Sequence, residues 1–367
     1  MQGNRRLGLV YIRACSGYFK KAIMRNISNH LNGNPYHDFV KDAVIIKSPY
    51  RISLGGGGTD LPFYYKERGG FLITATINQY MTVSAAARVL DDQFFIQTTY
   101  TQVAEKLEDL THDIIREALK CFGIQKGFQV ATYSTLPTTT GLGASSTLMV
   151  GLVNALNLIK GNLVSPWEVA REAYHIEREI LKLAGGLQDQ YIAALGGIKT
   201  LEIDKSGQVN AKELKIPEHN RHELERGLVL IYTTEVRDSP EIIKSQEAER
   251  KKMLENYDKI KEIGKESVKY LMEGDVQMLG ELMDRHWEIK KRLSKDISND
   301  YLDDIYLQLK KIGSPGGKIL GAGGGGFFMM AVPGNVDHYV REISQLGFRF
   351  LDWRFEFSGA HMIDSSP

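Results

Sequence analysis

The sequence predicts an α+β protein of two domains, and three observations carry that reading. The chain has 367 residues, more than a single hydrophobic core usually serves, so about two domains are expected. Stretches rich in β-branched and aromatic residues alternate with stretches of helical spacing along most of the chain. A polar, turn-rich run, "KSGQVNAKELKIPEHNRHE", separates an N-terminal set of such stretches from a C-terminal set. The boundary is placed near Arg221. The expected units are an extension over 1–42, a first domain over 43–220 and a second over 221–367.

The elements follow in order. "DAVIIKS" (Asp42–Ser48) reads as a strand that enters the glycine run "SLGGGGTD". "FLITATIN" (Phe71–Asn78), "YMTVSAAARV" (Tyr80–Val89) and "QFFIQTT" (Gln93–Thr99) read as further strands. "THDIIREALKCF" (Thr111–Phe122) has helical spacing, and "FQVATYS" (Phe128–Ser134) is strand-like. Thr147–Ile159 is apolar nearly all round, as a buried helix would be. Ser165–Ala184 opens with Ser165, Pro166 and Glu168, a capping box that starts a helix. Gly196–Asp204 and Gly227–Thr233 read as strands on either side of the boundary. Charged amphipathic helices are expected from about Pro240 to Leu293 and over Asp300–Lys311. The tail alternates strand "KILGAGGGGFFMMAV", helix "VDHYVREISQL" and strand "FRFLDWRFEF".

Composition narrows the class. Lys+Arg is 46 against 45 for Asp+Glu, which argues against a nucleic-acid binder working through bulk charge. Two cysteines without a CxxC give neither a disulfide scaffold nor zinc-ligand spacing, and a reducing cytoplasm is the expected compartment. No apolar run reaches the ~18–20 residues of a membrane span. The basic residues 1–42 fit a signal peptide poorly, because Arg13, Lys20 and Lys21 break the apolar run. They are expected to be a poorly packed extension.

Three glycine-containing stretches stand out. "PTTTGLGASST" leads straight into the apolar helix, and unpaired amides at a helix N-terminus suit a phosphate. Its serines are hydroxyls that cap a helix or ligate Mg²⁺. Taken alone, the stretch is better explained by a plain N-cap. There is no GxxxxGK[ST], which excludes the P-loop NTPases. Gly321, Gly323 and Gly326 match GxGxxG, but a strand-like "FFMMAV" follows where the dinucleotide fingerprint needs a helix. Glu177, Glu179 and Asp189 lie in "IEREILKLAGGLQDQ". Phosphoryl transfer to a hydroxyl needs one carboxylate to orient or deprotonate it and another to hold Mg²⁺.

The order "SPYRISLGGGGTD", "PTTTGLGASS", "GGLQDQ", "GAGGGG" is more specific than any one motif. From about Ala43 to Phe357 it resembles the galactokinase–homoserine kinase–mevalonate kinase–phosphomevalonate kinase (GHMP) superfamily. The first motif is most similar to that of the D-glycero-D-manno-heptose 7-phosphate kinases. The resemblance implies the two-domain GHMP fold, with a ribosomal-S5-like N-terminal domain and a ferredoxin-like α+β C-terminal domain. It implies ATP and Mg²⁺ as cofactors, with Thr140, Gly141, Leu142, Gly143, Ala144, Ser145 and Ser146 around the ATP phosphates. Ser145 and Glu177 would be the Mg²⁺ ligands, with Ser146 as an alternative to Ser145. Asp189 would be the catalytic aspartate and Arg51 the arginine assisting it. Asp60 would bind sugar hydroxyls, with Gly57 and Gly58 beside it, while Gly323 and Gly324 of the last motif would help shape the substrate site.

The implied activity is phosphorylation of a sugar at its anomeric hydroxyl, with heptose 7-phosphate as the expected substrate. Gly57-Gly58 stand where galactokinases carry Glu-His, which disfavours galactose. An L-fucose kinase or another sugar 1-kinase is the alternative, and a catalytically silent sugar sensor the third reading. A 7-phosphate needs a cationic pocket, for which Arg237 and Lys290 are candidates. Either a monomer or a homodimer is compatible with the sequence.

Overall fold

In the computed structural model the described residues are 39–137, 140–235, 243 and 250–363. Two sheets organise them. The first is nine-stranded and centred on β1 (Ala43–Gly55) and β2 (Gly70–Ala87), which pair antiparallel from Ala43↔Ala86 to Gly55↔Ile73. The register shifts between Pro49 and Arg51. Proline has no ladder donor and is tolerated at a bulge, and a bulge re-aims the side chains beside it. Here the side chain that follows the bulge is Arg51.

The two strands expected over 71–89 are one continuous β2. Its first half pairs with β6 (Ile198–Ile203) and its second with β5 (Phe128–Ser134). Because its neighbours take over from one another along its length, the polar Asn78-Gln79 does not end it. Helix α1 (Pro62–Arg68) precedes β2, and between β2 and β5 lie β3 (Phe94–Gln97), β4 (Thr101–Ala104) and α2 (Asp113–Cys121). The hairpin β3–β4 joins the sheet edge through a parallel pairing of β3 with β5.

Helix α3 (Ala144–Ile159) is buried nearly all round, as its composition predicts, and packs on β1 and β2. Helix α4 (Pro166–Tyr174) has the expected capping box, with Ser165 and Glu168 bonded reciprocally. It runs on into a π-helical turn, His175–Ile180. Then come α5 (Gln188–Leu195), β6, β7 (Val209–Glu213) and α6 (Glu218–Gly227). The boundary expected at Arg221 falls inside α6.

The second sheet is antiparallel in the order β11-β8-β10-β9. Its strands are β8 (Leu228–Tyr232), β9 (Gly316–Ile319), β10 (Phe327–Ala331) and β11 (Arg349–Leu351). Around it lie α7 (Arg250–Glu273), α8 (Val276–Lys291), α9 (Asp300–Lys311) and α10 (Val336–Gln345). Gly274, at φ +69°, separates α7 from α8, and Asp275 caps α8 by accepting from the Met278 amide. Pro240, where these helices were expected to begin, lies outside the described residues.

The expected single strand over "FRFLDWRFEF" is divided between the sheets. Residues 349–351 join β8, whereas β12 (Phe355–Glu356) pairs with β2 and β13 (His361–Met362) pairs with β1. Trp353 sits between them, buried, its indole N–H donating to the Leu228 carbonyl at 2.8 Å. A buried indole needs that partner, and providing it turns the chain from one sheet to the other. The tail of the expected 221–367 unit therefore packs with the first sheet.

There are two apolar cores, one around Tyr50, Ile52 and Leu72 that also takes Leu230 and Met329 from one face of the second sheet, the other around Trp287, Phe328 and Tyr257. Leu61 and Tyr64, just beyond the first glycine run, belong to the second core. Tyr64 also donates to Asp258 on α7 at 2.7 Å. Of the expected extension, residues 1–38 lie outside the described residues. Phe39 packs on Phe128, ring centroids 5.9 Å apart, and the Val40 amide donates to Ile159.

Candidate active site

A cleft runs between the two sheets, and the sequence motifs converge on it. Its floor is the loop into α3. Gly143 is the N-cap at φ +84°, and no side chain caps the helix. A side chain on Gly143 would be strained at that φ, and the first-turn amides are left for a ligand. Such amides at the positive end of a helix suit a phosphate. Leu142 is buried and anchors the loop in the core, and its carbonyl accepts from the Arg51 amide at 3.2 Å. Gly141, Ala144, Ser145 and Ser146 line the cleft. Thr140 is fully buried behind it, its hydroxyl without a partner among the described residues.

Arg51 and Asp189 meet at the cleft wall. Arg51 Nε donates to Asp189 Oδ1 at 2.7 Å, and one terminal nitrogen donates to Oδ2 at 3.0 Å. Its other terminal nitrogen donates to the Gly141 carbonyl at 2.6 Å. One guanidinium thus fixes the carboxylate in two dimensions and ties it to the phosphate loop, a fork geometry that lysine lacks. Asp189 stands in the first turn of α5 and retains partial exposure to the cleft.

Asp60 follows the first glycine run and is buried. The Gln188 amide donates to its Oδ2 at 3.0 Å. Burial raises its pKa, the Gln188 hydrogen bond opposes that, and the Asp189 charge raises it further. Gly57 and Gly58 line the cleft beside it. The need for glycine there comes from the protein's own packing: a Cβ on Gly58 would stand 2.7 Å from the Tyr257 ring. The run is thus a close seat for α7.

Ser145 and Glu177 also meet, Ser145 Oγ donating to Glu177 Oε1 at 2.7 Å. Glu177 lies in the π-helical turn and is fully buried; such turns are frequent at functional sites. Gln190 holds its other oxygen at 2.6 Å. Ser145 is exposed to the cleft, whereas Ser146 is buried and receives bonds from Gln190 at 3.1 Å and Arg178 at 3.2 Å. The hydroxyl free to reach a ligand is therefore that of Ser145. Among the described residues no three His, Cys, Asp or Glu side chains converge as a metal site. One carboxylate and one hydroxyl at the edge of a phosphate loop still fit Mg²⁺, which commonly keeps waters and phosphate oxygens as its remaining ligands.

The opposite wall comes from the second sheet and α8. His286, Lys290 and Lys318 line it with Leu320, Gly321 and Ala322. Lys290 donates to the Gly321 carbonyl. Gly323 and Gly324, expected at the substrate, do not line the cleft. Gly324 donates its amide to Ile297 at 2.8 Å, and a Cβ on Gly323 would strike Ile297 at 2.9 Å. That half of the glycine run closes on the loop before α9. Arg237 lies outside the described residues. Gln188, Gln190, Arg178, His286 and Lys318 escaped the sequence reading. Lys318 alone left a signal there, a cation within the apolar strand "GGKIL".

Comparisons with known proteins give the family and the fold. Residues 104–197 match the model of the GHMP kinases N terminal domain, and residues 267–347 match that of the GHMP kinases C terminal domain. The chain is 33% identical over 304 residues to a D-glycero-alpha-D-manno-heptose 7-phosphate kinase of Campylobacter jejuni, covering 78% of this chain and 88% of that protein. A crystal structure described as a D-glycero-D-manno-heptose 1-phosphate kinase from Bacteroides thetaiotaomicron superposes with a TM-score of 0.73 at 27% identity. That match covers 88% of this chain and all of that one. The galactokinase of Lactococcus lactis, complexed with galactose, shares the fold at a TM-score of 0.68 and 18% identity, over 88% of this chain and 96% of that one.

Proposed function

This chain belongs to the GHMP kinase family and is an ATP-dependent sugar kinase, and from that premise we propose that it phosphorylates D-glycero-D-manno-heptose 7-phosphate at the anomeric hydroxyl. The product is the 1,7-bisphosphate. The observation that carries the site assignment is the Arg51–Asp189 fork, set between the phosphate loop and Asp60.

Asp189 accepts the hydrogen bond of the anomeric hydroxyl and takes its proton as the oxygen attacks the γ-phosphorus. Arg51 occupies one lone-pair direction on each Asp189 oxygen and leaves the other to the substrate. The bond from the γ-phosphorus to the β-bridging oxygen breaks, and ADP leaves. The first-turn amides of α3 stabilise charge on the transferring group. Mg²⁺ held by Ser145 and Glu177 would neutralise charge on the β- and γ-phosphate oxygens. Asp60, held by the Gln188 amide, accepts from sugar hydroxyls and fixes which one reaches Asp189.

The test is ADP release with a panel of D-glycero-D-manno-heptose 7-phosphate, the unphosphorylated heptose, L-fucose, mannose, galactose and mevalonate, with phosphorus NMR of the product. Turnover of the heptose 7-phosphate to a 1-phosphoryl product supports the reading. Turnover confined to L-fucose would replace it with the sugar 1-kinase alternative. Sugar binding without any turnover would favour the sensor.

A further inference from the structure

We propose that Lys290 and Lys318, assisted by His286, form the subsite that receives the phosphate already present on the sugar, and so set the preference for a phosphorylated substrate. The inference rests on the kinase reading above.

Lys290 stands in the last turn of α8 and Lys318 in the middle of β9, and both face the cleft. Their residues are 8% and 3% exposed. Two buried ammonium groups are costly unless an anion accompanies them. The protein provides little. Lys290 has the Gly321 carbonyl, and the acid that acts on it is Asp60. Lys318 has no hydrogen-bond or ion-pair partner among the described residues. The charges acting on it, Lys290 and Arg51, are both positive. Burial and these neighbours lower the pKa of Lys318 to about 7 and that of Lys290 to about 8. His286 is buried beside them, and burial with the two lysines holds it neutral, an N–H donor that adds no charge.

The placement selects which phosphate. Arg51 is committed to Asp189 and Gly141, and Glu177 to Ser145 and Gln190, on the nucleotide side of the cleft. Lys290 and Lys318 come instead from the opposite wall, from α8 and β9, where Lys290 feels the Arg51 and Asp60 charges together. A sugar that presents its anomeric hydroxyl to Asp189 and other hydroxyls to Asp60 has its far end left for the lysines. A dianionic phosphate there would restore the charge balance and keep both lysines protonated.

The test uses Lys318→Met and Lys290→Met in the full chain. Methionine keeps the length without the charge; at Lys318, which has no partner among the described residues, the apolar replacement preserves folding, whereas Lys290→Met frees the Gly321 carbonyl and its folding is checked by melting temperature. Steady-state kinetics compare D-glycero-D-manno-heptose 7-phosphate with the unphosphorylated heptose, and calorimetry follows binding of the heptose 7-phosphate without ATP. The expected result is a roughly 10- to 100-fold loss of preference for the phosphorylated sugar, the size of one lost charge-assisted hydrogen bond. Lys318→Arg should restore part of it. An equal loss for both sugars, or a rise in the ATP KM in its place, would overturn the proposal. Heptose 7-phosphate bound by the wild type and lost in Lys318→Met, with no turnover by either, would sink the kinase reading and leave the subsite standing. Normal turnover with an unchanged preference would sink the subsite alone.

Discussion

The Asp60 carboxylate occupies the space that a side chain on Gly186 would need. A Cβ built there would stand 1.9 Å from Asp60 Oδ2 and 2.8 Å from the Asp60 carbonyl. The "GG" before "LQDQ" thus serves the acid across the cleft, and it brings the Gln188 amide to that acid at 3.0 Å.

Gly186→Ala should therefore separate Asp60 from Gln188. Overpacking of this kind costs about 1–3 kcal/mol of stability, read from urea unfolding. The sugar KM should rise about 10-fold or more, the cost of losing a hydrogen bond to a charged group, and the ATP KM should stay within about two-fold. An unchanged sugar KM would show that Asp60 needs no such support.

Asp189→Asn should lower kcat by roughly 10²- to 10⁴-fold, the range for losing an acid–base group. Nucleotide affinity, measured by calorimetry, should hold. A variant that turns over at the wild-type rate would remove Asp189 from the proton's path.

Arg51→Lys should weaken catalysis although charge is conserved. A single ammonium cannot hold both Asp189 oxygens and the Gly141 carbonyl together. We expect kcat to fall about 10- to 100-fold, equivalent to about 1.5–3 kcal/mol. Equal kcat in the lysine variant would make the fork geometry irrelevant.

The pH dependence of stability follows from Lys318 and Lys290. Their folded pKa values, about 7 and about 8, lie below the ordinary lysine value of 10.5. Between those limits the unfolded chain binds more protons, so stability rises with pH, by as much as ~1.4 kcal/mol per pH unit for each lysine neutral in the fold. The cost is fully present below about pH 7 and relieved above it. Wild-type melting temperature should climb from pH 7 to 9 more steeply than that of Lys318→Met. Phosphate is a dianion throughout this range and favours the charged lysines, so stabilisation by heptose 7-phosphate should shrink as pH rises. Parallel slopes for the two proteins would show that Lys318 is not neutralised in the fold.

Much of this was legible in the sequence because it is local. The capping box at Ser165 and the apolar α3 are set by neighbours within a few residues, whereas the choice of Ser145 over Ser146 depends on Arg178 and Gln190, 32 and 44 residues away. The motif order placed Arg51, Asp60, Glu177 and Asp189 together, and the structure brings all four to one cleft. What was not legible depends on distant partners. Whether Gly58 seats a sugar or a helix is decided by Tyr257, some way along the chain. Gly323 and Gly324 look like Gly321 in sequence, yet only Gly321 lines the cleft, because Ile297 takes the other two. The break in "FRFLDWRFEF" depends on a carbonyl at Leu228 that no local pattern announces.

The return of β12 and β13 to the first sheet governs the timing of assembly. Thr76 Oγ1 donates to the Glu356 carbonyl at 2.6 Å across 280 residues of sequence. A chain leaves the ribosome at about 5–20 residues per second, and its domains generally fold as they emerge. The first sheet would then wait on the order of tens of seconds for its last two strands. Throughout that wait β1 and part of β2 present unpaired backbone edges, the kind of surface on which nascent chains pair wrongly. The first half of this enzyme to be made is therefore the last to be finished, and a truncation near Trp353 would cripple the domain farthest from it in the gene.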